Sequence, residues 1–135
     1  MTDEYLEKNM EAEKNIKRMT CIICPMGCAL EVSGSADGVT VTGNNCRRGV
    51  EYAIKELSSP SRTLTCTVSV MKGRRPLVSA KTNGEIPKDM LLPGMEFVRR
   101  LSVEAPVKAG QILVRDFLST GSDLISCEEV EKPGE

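Results

Sequence analysis

The sequence predicts an α+β protein: an N-terminal cysteine-bearing hairpin and short helix, followed by a mostly antiparallel sheet with one or two helices. Two observations predict this class. Apolar residues alternate with polar ones on both sides of several turn-forming pairs, which is typical of β-hairpins. Two other stretches repeat apolar residues at the spacing of an amphipathic helix.

The chain is expected to divide into four segments. Residues 1–18 are predicted to be a flexible charged tail, because charges alternate there and the apolar residues form no wide stripe. Residues 19–59 contain four of the cysteines and are predicted to bind a metal or cluster. Residues 60–130 are expected to form an α+β body, and residues 131–135 a second flexible tail.

The first elements follow from local patterns. ALEVSGSADGVTVTG is predicted to fold as a hairpin about Asp37-Gly38, since apolar residues alternate on both sides of this pair. The apolar residues of RRGVEYAIKEL recur at helical spacing and predict a short helix that ends before Pro60. RTLTCTVSVMKGRRPLVSAK predicts a second hairpin with its turn at Lys72-Gly73.

The last third of the chain predicts one helix and two strands. The helix is expected to start after Pro93, because Pro93-Gly94 should interrupt the apolar pattern that precedes it. The strands are expected at residues 111–118 and 123–128, joined by a turn.

Charge and composition argue against several classes of protein. Eighteen lysines and arginines nearly balance nineteen acidic residues, and aromatic content is 3%, so no nucleic-acid partner is expected. No apolar run approaches the roughly 20 residues needed to span a bilayer, and the charged N-terminus lacks a signal-peptide pattern. The sequence predicts a soluble, cytoplasmic protein without a membrane span.

The chain contains no histidine, so it lacks the usual general base near neutral pH. No nucleophile-and-base motif or glycine-rich phosphate loop is present either. A non-catalytic redox or accessory role fits this composition better than an enzymatic one.

The cysteine spacing is the strongest functional signal. Two residues separate Cys21 from Cys24, three separate Cys24 from Cys28, and seventeen precede Cys46. Cysteines at this density in a reducing cytoplasm favour metal ligands or redox thiols over structural disulfides. Three close cysteines and one distant one are typical of cubane iron-sulfur clusters, so all four are predicted to bind a 4Fe-4S cluster.

The residues around the cysteines suit a thiolate site. Gly27 permits a tight turn and Pro25 stiffens the loop. Arg47 and Arg48, which follow Cys46, are expected to offset the negative charge of four thiolates and to raise a reduction potential.

Other uses of the cysteines remain open. Zinc is the main alternative, although structural zinc more often takes two separated CxxC pairs. A thioredoxin-like dithiol at Cys21 and Cys24 is a third, but a hairpin follows the motif where a helix would be required. Cys66 and Cys127 alternate with apolar neighbours and are expected to be small buried hydrophobic residues.

The cysteine segment, residues 20–50, resembles the N-terminal iron-sulfur segment of molybdopterin oxidoreductases. The likeness is carried by TCIICPMGC, the valine-rich hairpin and the Cys-x-Arg-Gly of CRRG. It implies an iron-sulfur cluster. The path to the fourth cysteine is shorter here and the chain shows none of the large domains that bind the pterin, so molybdenum chemistry is not implied.

Residues 19–128 are more similar to the DUF1667 family of small, uncharacterised bacterial and archaeal proteins, also called CPE0013-like. The resemblance is carried by TCIICPMGC, CRRG, IPK, APVKAG and STGSDLI. It maps the ligand set onto Cys21, Cys24, Cys28 and Cys46. It implies a metal or cluster protein of anaerobes, often found beside flavin-dependent dehydrogenases of the glycerol-3-phosphate type. The implied role is electron transfer as an accessory subunit to such a dehydrogenase, with a zinc-binding structural or protein-interaction module as the alternative.

Overall fold

The computed structural model describes residues 16–35 and 38–134. Within these residues the chain forms ten β-strands and two α-helices, which confirms the predicted α+β class. It divides into two compact units, Met1–Ser59 and Pro60–Glu135. Most of the predicted N-terminal tail, residues 1–15, and Asp37 of the first predicted turn lie outside the described residues.

The first unit contains a three-stranded antiparallel sheet and one helix. Strand β2 (Ala29–Ser35) lies between β1 (Lys17–Thr20) and β3 (Gly38–Thr42). Helix α1 (Arg47–Ser58) follows β3. The predicted β2–β3 hairpin and the predicted helix are both confirmed, since each rests on a local apolar pattern.

The core of the first unit is small. Among the described residues, Cys21, Leu30, Val32 and Ala53 form its buried centre. Leu30 and Val32 are alternate residues of β2, so both point to the same face of the sheet, and Ala53 contributes from α1. In residues 16–35 and 38–59, few apolar side chains therefore form the core.

Strand β1 is not predicted by the sequence. Its first two residues fall in the segment expected to be a tail, and only Met19 within the strand is partly covered. Pairing with β2 places Thr20 opposite Ala29, and Arg18 lies 3.3 Å from Glu31 across the pair. A strand with so little apolar alternation can be recognised only from its pairing with β2.

The second unit contains a five-stranded sheet in the order β8-β5-β6-β10-β9 and a two-stranded pair, β4 with β7. The β8–β5 pair is parallel and the others are antiparallel. The predicted β5–β6 hairpin is confirmed. The elements are β4 (Ser61–Arg62), β5 (Thr65–Met71), β6 (Leu77–Thr82), β7 (Ile86–Pro87), α2 (Leu91–Arg100), β8 (Ser102–Glu104), β9 (Ile112–Val114) and β10 (Leu124–Ser126).

The core of the second unit lies on one face of this sheet. Alternate residues of the central strands, such as Val68 and Val78, are fully buried. Val98 contributes from α2, and the fully buried Phe117 contacts Phe97 edge to face at 5.6 Å between ring centroids. Most of the larger fully buried side chains in the described residues belong to this unit.

Two boundaries differ from the prediction. Helix α2 already begins at Leu91, after a 3-10 turn at Lys88–Met90, and runs through Pro93-Gly94. Proline is tolerated there because the amides of the first helical turn have no partner within the helix. The strand expected at 111–118 ends at Val114 and gives way to a 3-10 turn.

The two remaining cysteines have different environments. Cys66 is partly buried against the core, as expected. Cys127 is exposed, so the expectation that it is buried is wrong. Strand β10 ends at Ser126, and Cys127 follows it with its amide donating to the carbonyl of Ser79 at 2.8 Å.

No helix in the part of the chain that the structure describes is both long enough and apolar enough to cross a membrane.

Candidate metal centre

The first three candidate ligands lie on the loop that joins β1 to β2. The amide of Cys21 donates to the carbonyl of Cys28 at 2.9 Å and closes the base of this loop. Gly27 has φ +60°, a left-handed conformation that glycine adopts without steric cost. Cys21 is buried, whereas Cys24 and Cys28 are half-buried.

The fourth candidate ligand is brought near the loop by a close backbone approach. A Cβ atom at Gly43 would lie 2.1 Å from the carbonyl oxygen of Ala29, which directly follows Cys28. Only glycine fits this contact, and its φ of +87° also favours glycine. Residues 43–46 can therefore pass beside the base of the loop before α1 begins.

The side chains of two neighbouring asparagines in this segment hydrogen-bond to candidate ligand residues. The Nδ2 atom of Asn44 donates to the backbone carbonyl of Cys46 at 3.2 Å. The Nδ2 atom of Asn45 donates to the Sγ atom of Cys28 at 3.4 Å. The role of Asn45 is not predicted from the sequence, because a residue that precedes a predicted helix is ordinarily a turn residue.

The side chain of Arg48 hydrogen-bonds to the Cys46 thiol. Its guanidinium, followed by the backbone amides of Arg48 and Gly49, lowers the pKa of the exposed Cys46 thiol. In return, Cys46 raises the pKa of Arg48, with smaller contributions from Cys24 and Cys21. Three of the four candidate thiols therefore act on one guanidinium.

The two arginines beside Cys46 do not share this role. Arg47 lies 3.5 Å from Glu51, one helical turn away, and its side chain is 91% exposed. The sequence expectation named both arginines; in the structure Arg48 interacts with the Cys46 thiol, whereas Arg47 is paired with Glu51. The two arginines interact with different groups because the side chains of consecutive residues in an α-helix point about 100° apart.

Asn45 donates a hydrogen bond to Cys28, and Arg48 interacts electrostatically with Cys46, Cys24 and Cys21. Within residues 16–35 and 38–134, however, no three cysteine or carboxylate side chains are gathered closely enough to hold a metal ion. The donor set itself fits a metal group, because four thiols with a cation and an amide donor beside them suit both cubane iron-sulfur clusters and structural zinc.

The other two cysteines belong to the second unit. Burial raises the pKa of the Cys66 thiol, and Cys127 raises it further. Cys66 faces Ala80 across the β5–β6 pair.

Fold and site define a small α+β protein whose N-terminal sheet and helix carry a four-cysteine motif. The model of a protein family of unknown function, DUF1667, matches residues 47–128, so the chain belongs to this family. The match begins one residue after Cys46. The four candidate ligands therefore precede the matched segment, and their assignment depends on spacing, resemblance and geometry.

The NMR structure of Clostridium perfringens protein CPE0013 is similar to this chain. The two share 22% sequence identity over 56% of this chain and 89% of that chain, with a TM-score of 0.51. This likeness supports the fold. No curated protein matches the sequence.

Proposed function

We propose that Cys21, Cys24, Cys28 and Cys46 hold a 4Fe-4S cluster, and that the protein is an electron-transfer accessory subunit to a flavin-dependent dehydrogenase. One observation carries this proposal: Asn45 donates a hydrogen bond to the Cys28 thiol, and Arg48 interacts electrostatically with the other three candidate thiols. The cysteine spacing and the resemblance to iron-sulfur segments add support.

The surrounding residues have separable roles in this proposal. Arg48 supplies positive charge beside Cys46 and lowers the pKa of that thiol, which favours its thiolate form. The Cys21–Cys28 backbone hydrogen bond fixes the two ends of the loop. A bound cluster of this type accepts and returns one electron at a time.

The cysteine loop also supports a role in contact with another protein. Ile22, Ile23 and Met26 are 55%, 49% and 69% exposed, and residues 21–28 contain no charged side chain. Contiguous exposed apolar residues are typical of interaction surfaces. The partner class, a flavin-dependent dehydrogenase, is taken from the family resemblance.

A second candidate function is a zinc-binding structural module. The small core that the described residues form in the first unit favours it, because only Leu30, Val32, Ala53 and Cys21 are buried in that cluster. Small units of this kind are commonly stabilised by a structural metal. In this alternative the same four thiolates bind zinc, and the protein has no redox role.

Metal analysis under anaerobic conditions separates the two functions. We would purify the full chain without oxygen and measure iron, acid-labile sulfide and zinc per chain, with visible spectra before and after dithionite. About four irons and four sulfides with a bleaching absorption are expected for the cluster. One zinc without sulfide, and unfolding of the first unit on chelation, would establish the zinc module instead.

The ligand assignment has its own matched test. Cys28→Ser is expected to abolish retention of the metal, whereas Cys66→Ser, in the second unit, should retain it fully. Both proteins are compared by metal content per chain and by far-UV circular dichroism, which separates metal loss from unfolding. Equal metal loss in the two variants would refute the assignment.

A further inference from the structure

Asn44 and Asn45 are adjacent and chemically identical, yet their side chains bind different groups. Asn44 donates to the backbone of its own turn, at the carbonyl of Cys46, and is half-buried. Asn45 is exposed and donates to a sulfur 17 residues away, the Sγ atom of Cys28. This hydrogen bond joins a side chain of the cysteine loop to a side chain of the segment that leads into α1.

We infer that Asn45 is a positioning and tuning residue for the proposed cluster: its amide holds the Cys28 sulfur toward the fourth ligand and raises the reduction potential. This inference rests on the proposed iron-sulfur function. Cys28 and Cys46 come from separate loops, and Asn45 precedes Cys46 directly, so its bond to Cys28 couples the positions of the two ligands.

The direction of the effect on the potential follows from charge. Reduction of a thiolate-ligated cluster places more negative charge on the sulfur atoms, so a hydrogen-bond donor to sulfur stabilises the reduced form more than the oxidised form. Residues that donate to ligand atoms commonly alter the properties of metal sites in this way. Removal of the Asn45 amide should therefore lower the potential.

The main experiment measures the midpoint potential of the anaerobically purified full chain as wild type, Asn45→Ala and Asn45→Asp. Asn45→Ala should retain the cluster and lower the equilibrium constant for reduction about two- to tenfold, the net value of one hydrogen bond. Asn45→Asp should lower it further, because it places a carboxylate where an amide donor stood. Asn83→Ala, which removes the same side chain in the second unit where Asn83 accepts from the amide of Asp123, is the matched control and should keep the wild-type potential.

The outcomes distinguish this inference from the proposed function. Iron-loaded Asn45→Ala protein with the wild-type potential would overturn the tuning role while leaving the cluster assignment intact. Wild-type protein without iron would overturn the proposed function and the tuning role with it.

A second measurement tests the contact in metal-free, reduced protein. The side-chain amide NMR signals of Asn45 should shift in Cys28→Ala and stay unchanged in Cys66→Ala. Signals that are insensitive to Cys28 would show that the hydrogen bond is absent, and the positioning role would fall whatever metal is bound.

Discussion

The contact between Gly94 and Phe117 tests the packing of the second unit. Gly94 is buried within α2, and a Cβ atom placed there would lie 3.1 Å from Leu64 Cδ2 and 3.1 Å from Phe117 Cε1. Phe117 is fully buried, so its ring has little room to move away. A methyl group at this position is therefore opposed by contacts with both Leu64 and the Phe117 ring.

The magnitude follows from two opposing terms. Glycine to alanine inside a helix normally stabilises a protein by about 1 kcal/mol. An extra methyl group in a packed core destabilises it by about 1–3 kcal/mol. We expect Gly94→Ala to lower the free energy of unfolding by about 1 kcal/mol, or the melting temperature of a unit of this size by about 4–8 °C.

Phe117→Leu removes the ring atoms that crowd this position. In that background only the Leu64 contact still opposes the added methyl group, so Gly94→Ala should destabilise the protein less than it does in wild type. The two substitutions should therefore show a coupling energy of about 1 kcal/mol in a double-mutant cycle. Phe117→Leu alone should destabilise by less than the about 3–5 kcal/mol typical of truncation to alanine.

Urea unfolding of the four full-length proteins provides the assay. Far-UV circular dichroism reports the helix and strands of the unit that carries both substitutions, so its urea midpoint gives the free energy of unfolding of each variant. If Gly94→Ala has the same effect in both backgrounds to within about 0.5 kcal/mol, the ring contact is not the cause.

Two further predictions concern ionisation. In metal-free, reduced protein, the lowered pKa of Cys46 keeps this residue as a thiolate at lower pH than an ordinary cysteine. The pH profile of its alkylation rate should therefore lie at lower pH than that of an ordinary cysteine, and Arg48→Gln should move the profile back to higher pH. The amide of Ser79, and then the guanidinium of Arg75, lowers the pKa of Glu128. Its carboxylate therefore stabilises the fold above the ordinary glutamate pKa, and this contribution is lost as the pH falls through the lowered value. Glu128→Gln should be less stable than wild type at pH 7, and their urea midpoints should converge below about pH 4.

Each of these predictions has a control of the same chemistry. Arg47→Gln should leave the Cys46 alkylation profile in place, because Arg47 is paired with Glu51; an equal shift would show that charge alone, and not position, is responsible. Glu104 forms an exposed pair with Lys72, and Glu104→Gln should change stability little at any pH. If the urea midpoints of Glu128→Gln and wild type differ by the same amount from pH 7 down to acid pH, the stabilising role of the Glu128 carboxylate is wrong.

Helices and strands with a local sequence pattern are predictable from the sequence alone. The β2–β3 and β5–β6 hairpins and helix α1 each combine an apolar period with a nearby turn or stop signal, so they are recognisable without knowledge of distant residues. The spacing of Cys21, Cys24, Cys28 and Cys46 likewise indicates a thiolate site without reference to any other part of the chain.

Elements and contacts that depend on residues distant in the sequence are seen only in the tertiary structure. Strand β1 exists because β2 supplies its hydrogen bonds, and α2 runs through Pro93 because that residue falls in the first helical turn, where its missing amide is tolerated. The difference between Arg48 and Arg47, and the bond from Asn45 to Cys28, likewise depend on where the chain returns to the cysteine loop. Periodicity and turn chemistry act over a few neighbouring residues, whereas these contacts join residues that only the folded chain brings together.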